Sequence, residues 1–132
     1  MTAPFILLDD ARPHGASDAR LYAAPREMVI ARRAEEVIPA LERIEALRRD
    51  GAHLAGWMAY EAGLALEPRL LPLAAARSGA MGPLLWFGAF DGFETIPAPE
   101  VPGWLAGHAQ GEARIGPLEP ALSVGGYGRV FA

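Results

Sequence analysis

A single segment of this sequence has the period of a long amphipathic helix, and only short apolar runs surround it. From about Ala34 to Arg49, apolar residues recur at steps of three and four positions. Glutamates lie where the positive end of the helix dipole falls, and arginines lie at the negative end. Gly51 follows as a left-handed cap, and Pro39 is expected in the first turn, where its missing donor would have no partner. The pattern predicts an α+β fold, a mostly antiparallel sheet with one main helix.

The apolar runs have the length of strands, and turn-forming residues separate them. They are Phe5 to Leu8, Arg20 to Ala23, Glu27 to Ala31, His53 to Tyr60 and Leu84 to Phe93. Asp91 and Gly92 predict a turn that leads the last run back toward Glu94 to Ile96. From Ile96 to Pro120 the chain holds five prolines, which predicts an extended surface connection instead of a second core.

Composition argues against several classes of protein. The chain has 132 residues, of which 52% are hydrophobic and 21% charged, as in one ordinary soluble domain. Its net charge is −4 and no basic run exceeds two arginines, so it lacks the concentrated positive face that nucleic acid requires. Without cysteine it has no disulfide, catalytic thiolate or cysteine-rich zinc site. The start lacks a basic leader and no apolar stretch reaches the roughly 18 residues of a membrane span, which predicts a soluble, cytoplasmic protein with no membrane partner.

The residues that most often carry chemistry are scattered along the chain. The histidines His14, His53 and His108 lie in unrelated contexts, so no metal site is predicted. Asp9 and Asp10 are adjacent and would point to opposite faces of a strand, which favours a turn role over acid–base catalysis. The glycine-rich run near the end of the chain lacks the lysine and hydroxyl residues of a phosphate loop. No catalytic residue is predicted in this chain.

The segment GWMAYEAGLALEP, Gly56 to Pro68, places two carboxylates beside a turn that is otherwise predicted to be buried. A buried carboxylate is costly without a partner, so Glu61 and Glu67 are expected to accept from backbone donors or from Arg69. With Tyr60 at the strand end, we interpret these residues as a structural corner, and acid–base catalysis is the less favoured alternative. The aromatic residues of the predicted strands are interpreted as core, with a cofactor platform as the alternative. They are Trp57, Trp86, Phe87, Phe90 and Phe93.

Several segments, in one order, resemble the N-terminal region of the chorismate-utilising enzymes. They are PFILLDDAR, ARLYAAP with EMVIA, the amphipathic helix, GWMAYEAGLALEP and PLLWFGAFDG. Within that group the chain most resembles aminodeoxychorismate synthase component I, and in particular the bacterial versions with DDAR where anthranilate synthase component I has a Leu-Leu-Glu-Ser signature. The resemblance covers Pro4 to Ala132, with residues 1–120 as the N-terminal domain and 121–132 as the start of a chorismate-binding domain.

The resemblance implies an activity for the parent protein. The family is a transferase that converts chorismate to 4-amino-4-deoxychorismate for para-aminobenzoate and folate synthesis, with ammonia from a glutamine amidotransferase subunit. Mg²⁺ assists loss of the substrate's hydroxyl group, and its ligands lie in a C-terminal domain outside this chain. The chain is therefore expected to supply one part of an α/β sandwich and to be inactive alone. The resemblance does not separate this reaction from the anthranilate, isochorismate or salicylate reactions.

In relatives the same region also shapes a pocket for tryptophan. Carried over by position, the pocket would be lined by Leu8, Asp10, Arg20 and Tyr22. Asp10 stands where the tryptophan-binding pattern has serine. Its carboxylate would either pair with a ligand's ammonium group or mark a pocket that is lost or filled by Arg12 or Arg20.

Two alternatives to this assignment stay open. One is a free-standing tryptophan-binding or subunit-docking module with the same fold, and the other is the same domain of an anthranilate synthase component I. If the strands pack against a sheet outside this chain, the face with Trp57, Trp86 and Phe87 should be exposed. An apolar patch of that size predicts self-association.

Overall fold

The computed structural model describes residues 4–74, 82–109, 111, 114–118, 120, 123 and 129. The chain divides into a first unit, Met1–Pro102, and a second unit, Gly103–Ala132. Apart from positions 123 and 129, the segment 121–132 lies outside the described residues. The domain boundary at residue 120 therefore stays a prediction.

The described strands form two antiparallel sheets in the first unit, which confirms the α+β class. The first sheet has the order β1-β2-β6, with β1 at Phe5–Leu8, β2 at Ala19–Ala23 and β6 at Glu94–Ile96. The second sheet has the order β3-β5-β4, with β3 at Glu27–Ala31, β4 at His53–Met58 and β5 at Leu85–Phe90. Each sheet thus has one central strand and two edges.

The predicted helix is α1, Ala34–Arg49, and both of its ends have local causes. The Glu36 carboxylate accepts hydrogen bonds from the backbone N–H groups of Arg32 and Arg33, at 2.8 and 3.1 Å. These bonds fix the chain where the helix begins. Gly51 has a φ of +81°, the left-handed conformation predicted for the cap, which glycine adopts without steric cost.

One face of α1 packs against one face of the second sheet. Pro39 lies inside the helix instead of in its first turn, so the prediction of its position was wrong. The helix tolerates the lost backbone bond because the residues around Pro39 are packed, with Val37 at 0% and Ala40 at 7% exposure. The core between helix and sheet also includes Val29, Ala31, Leu47, Leu85 and Ala89.

The other face of the second sheet meets the first sheet near the end of β5. Tyr22 of the first sheet forms a buried cluster with Ala55 and Phe90 of the second. Phe90 is 1% exposed, and its ring centroid lies 5.4 Å from that of Tyr22. These contacts join the two sheets.

The segment after β5 does not turn back as predicted. β6 pairs with β2 of the first sheet, with Arg20 opposite Thr95, so the expected hairpin with β5 was wrong. β2 pairs with β1 on one side and with β6 on the other. Phe93, in the connection between β5 and β6, packs on the first sheet, with its ring centroid 5.3 Å from that of Tyr22. Just beyond β6, the backbone N–H of Ala98 donates a hydrogen bond of 3.0 Å to the Asp18 carboxylate.

The proline-rich region contains a helix where an extended connection was predicted. The helix α3 spans Val101–His108 and follows a 3₁₀ turn at Ala98–Glu100. Pro97 and Pro99 lie before the helix, and Pro102 lies in its first turn, where the missing N–H would have no intrahelical partner. Elsewhere in the chain, three short helical elements follow β4. They are a 3₁₀ turn at Tyr60–Ala62, the short helix α2 at Gly63–Leu66 and a 3₁₀ turn at Leu71–Leu73.

Of the three aromatic residues predicted to form an exposed face, Trp57 is exposed, whereas Trp86 and Phe87 are half-buried. Trp57 lies directly opposite Trp86 across β4 and β5, so both point to the same face, and Trp57 is 45% exposed. Phe87 follows Trp86 in the strand and therefore points to the opposite face, where it packs into the core under α1.

No helix among the described residues has the length and apolar character needed to cross a bilayer.

Carboxylate–arginine pairs on α1 predict acid sensitivity. Glu45 accepts from Arg48 at 2.8 Å and from Arg49 at 3.1 Å, which lowers its pKa from 4.5 to about 2. Bonds from Arg43 likewise lower the pKa of Glu27. Because the unfolded chain takes up these protons first, the stabilisation is complete above about pH 4.5 and is lost as pH falls toward about 2.

We expect urea unfolding at successively lower pH to show the free energy of unfolding falling through that window. Glu45→Gln should reduce the drop, whereas Glu42→Gln, on the same helix and outside any ion pair among the described residues, should leave it unchanged. The effect should be modest because the pairs are exposed to solvent. Equal pH profiles for the two variants would contradict the assignment to Glu45.

Candidate functional site

Three of the four predicted tryptophan-pocket residues share one face of the first sheet. Leu8 lies directly opposite Arg20 in the pairing of β1 and β2, and Ile6 lies opposite Tyr22. Directly opposite residues, and residues two apart on a strand, point to the same side. Leu8, Arg20 and Tyr22 are therefore neighbours, with Leu8 exposed and Tyr22 buried.

The fourth residue, Asp10, has both carboxylate oxygens occupied. Arg12 donates from Nε to Oδ1 at 2.8 Å and from its terminal nitrogen to Oδ2 at 2.6 Å. The Ser17 backbone N–H donates to Oδ2 at 2.9 Å. These donors hold the pKa of Asp10 well below its usual range. The carboxylate closes the loop between β1 and β2, and Arg12 occupies the position that a ligand's ammonium group would need.

Among the described residues, Arg20 contacts an aromatic side chain instead of a carboxylate. Its guanidinium carbon lies 4.9 Å from the ring centroid of Phe93, within the range of a cation–π interaction. Phe93 also contacts His53, with ring centroids 5.5 Å apart and the rings nearly perpendicular. The sequence does not reveal this group, because Phe93 lies in the connection between the two sheets and its partners are distant in sequence.

The predicted corner after β4 is mostly on the surface. Tyr60 is 96% exposed, Glu67 is exposed and Glu61 is half-buried. Glu67 accepts from the backbone N–H of Arg69 at 3.4 Å, so the nearest bond comes from the main chain. The buried part of this turn is Ala62, at 0% exposure, so the turn is anchored by a small apolar side chain.

An open groove of about 480 Å³ lies beside this corner. It is lined by Arg32, Arg33, Ala34, Glu35, Glu61, Leu71, Ala74 and Leu84. The Arg33 guanidinium is held by Glu36 at 2.6 Å and is thus already neutralised. The groove is assembled from three distant segments, which is why no local pattern predicts it. No hydrogen-bonded pair of acid, base or nucleophile lines it among the described residues.

A second groove, of about 420 Å³, lies between the β1–β2 loop and the segment after β6. Its lining includes Arg12 and Asp18, whose polar groups are already bonded to Asp10 and to the Ala98 backbone. The Arg12 guanidinium in this groove is therefore already paired.

The described residues contain no group of three histidine, aspartate or glutamate side chains that could hold a metal ion. His53 makes an edge-to-face contact with Phe93, and His108 stacks on Trp104 with ring centroids 4.0 Å apart. His14 is exposed in the β1–β2 loop.

Comparison with protein-family models, with curated proteins and with solved structures gave no match to this chain.

Proposed function

We propose that this chain is the N-terminal domain of a chorismate-utilising enzyme. Within that class we propose aminodeoxychorismate synthase component I, which aminates chorismate to 4-amino-4-deoxychorismate. The segments that carry the resemblance fall on consecutive elements of one unit, namely β1, β2, β3, α1, β4 and β5. That placement is the observation on which the proposal depends.

The arrangement of PFILLDDAR supports the same proposal. Its strand half is β1, and its carboxylate half bonds back through Asp10 to Arg12 and Ser17. This pairing explains why an arginine follows the two aspartates in DDAR, since Arg12 satisfies the carboxylate of Asp10. In this proposal a tryptophan ligand would have to displace Arg12 before its ammonium group could reach Asp10.

The proposal assigns chemistry to residues outside this chain. As the resemblance implies, the Mg²⁺ ligands and the chorismate contacts belong to a C-terminal domain of the parent protein, which would also dock a glutamine amidotransferase subunit. The role of this chain is structural: it supplies two packed sheets and a face bearing Leu8, Arg20 and Tyr22.

The test is the product formed by the complete native gene product with chorismate, ammonia and Mg²⁺. We expect 4-amino-4-deoxychorismate, identified by mass spectrometry, and no product from the 132-residue chain alone. Anthranilate as the product would support the alternative branch. No turnover, or a native gene that encodes nothing beyond Ala132, would contradict the proposal.

A further inference from the structure

β4 is an unprotected edge strand. Within the described residues it pairs with β5 on one side and with no strand on the other. Its sequence, HLAGWM, contains no carboxylate, lysine, arginine or proline. Charges and prolines are the common means by which proteins prevent an edge from pairing with another chain. β4 therefore presents a row of free backbone donors and acceptors with none of these protections.

The remaining edges carry the protection that β4 lacks. β6 is three residues long and contains Glu94. β3 begins at Glu27, whose carboxylate is bonded to Arg43 at 2.6 Å. β1 is four residues long and is followed by Asp9 and Asp10. Short length and charge both discourage edge pairing, so β4 is the edge best suited to it.

An apolar row crosses the second sheet and ends at this edge. Ile30, Trp86 and Trp57 lie directly opposite one another across β3, β5 and β4, so their side chains share one face. That face is the one opposite α1, and Ile30 is 40% and Trp57 45% exposed. The row thus brings partly exposed apolar surface to the strand whose backbone is unpaired.

We propose that two copies of this chain associate by antiparallel pairing of their β4 strands about a two-fold axis. The two second sheets then form one continuous sheet of six strands. An edge strand is self-complementary in this arrangement, because each copy supplies the same alternating donors and acceptors in the opposite direction. Side chains that share a face of the second sheet stay on one face of the joined sheet, so Trp57 of each copy lies at the new seam and loses part of its exposed surface.

A second copy fits this edge better than a charged partner does. β4 carries no formal charge, so symmetric pairing brings no like charges together. For the same reason, β4 has no charge that an acidic or basic partner could recognise. The inference does not rest on the proposed function. A monomeric chain would overturn it and leave the product assay unaffected.

Sedimentation equilibrium over a concentration series tests the proposal. We expect the wild-type chain to approach twice its 14.1 kDa mass. Trp57→Lys should lose the dimer, because the change places a charge on each copy at the paired edge, and charged side chains discourage edge pairing. Ile38→Lys is the matched control, since Ile38 is 51% exposed on α1, away from β4, and this variant should remain dimeric. Circular dichroism establishes that each variant is folded.

Ile30→Lys distinguishes edge pairing from stacking of the two apolar faces. Ile30 lies on β3, the opposite edge of the sheet, so edge pairing through β4 should survive this change. Loss of the dimer in Ile30→Lys to the same extent as in Trp57→Lys would overturn the proposal. A wild-type chain that stays at one chain mass throughout the series would overturn it too.

Hydrogen exchange of the wild-type chain gives a test that needs no variant. Backbone amides of β4 should become more protected as the protein concentration rises, while amides on the outer edge of β3 should not change. Concentration-independent protection of β4 would overturn the proposal, even if Trp57→Lys fails to fold.

Discussion

Replacing Gly56 by alanine should destabilise the first unit by roughly 3 kcal/mol, at the upper end of the range for overpacking. A β-carbon at Gly56 would collide with the Trp86 carbonyl oxygen and would lie 2.6 Å from the Phe87 Cα atom. The Phe87 ring also lies across this position, with Cγ 2.7 Å from the new carbon. Because two of these neighbours are backbone atoms of the central strand, no side-chain rotation relieves the clash. Urea unfolding of Gly56→Ala against wild type measures the effect.

Gly63→Ala is the matched control for this change. Gly63 begins α2 with a φ of −58°, and nothing lies within 4 Å of its added carbon. Alanine is the better helix former, so we expect no loss of stability and a gain of up to about 1 kcal/mol. Equal free energies of unfolding for the two variants would show that the close approach of β4 to β5 is not as described.

Phe90→Ala should cost about 3 to 5 kcal/mol, the range for removing a buried aromatic side chain. Phe90 is 1% exposed, and its ring contacts Tyr22 at the junction of the two sheets. Its removal leaves a cavity where the sheets meet, so both sheets should lose stability together. Thermal unfolding should show the loss, and hydrogen exchange should show faster opening of β2 as well as of β5.

Phe5→Ala provides the comparison for Phe90→Ala. Phe5 is 50% exposed at the start of β1, so the same truncation there should cost much less. If Phe90→Ala accelerated exchange in β5 but left β2 unchanged, the Tyr22–Phe90 contact would not be what couples the sheets.

Local signals in the sequence predicted local structure well. The helix α1 was predicted with its bounds because its period, its terminal charges and the cap at Gly51 all lie within one segment. The bond from Arg12 to Asp10 also joins near neighbours, and a pocket filled by Arg12 was among the alternatives stated. Such contacts depend on residues a few positions apart, whose geometry the backbone fixes.

Contacts between distant segments could not be predicted in the same way. The partner of β6 is β2, with Ala19 opposite Ile96, and nothing near Glu94 specifies that choice over β5. The contact of Arg20 with Phe93 follows from this pairing and was missed with it. The face on which Phe87 lies could have been predicted from the sequence. Phe87 is adjacent to Trp86, and adjacent residues of a strand point to opposite faces.

The late position of β5 and β6 in the chain has a consequence for synthesis on the ribosome. β3 and β4 both pair with β5, which begins at Leu85, and β2 receives its second neighbour only with β6 at Glu94–Ile96. Non-local pairing of this kind is slow, because the chain must close long loops before it gains the contacts. The second sheet stays incomplete until Phe90 has emerged and the first until Ile96 has, so β4 leaves the ribosome without a partner on either side. The nascent chain is therefore most in need of chaperone protection while the segment between β4 and β5 is being made.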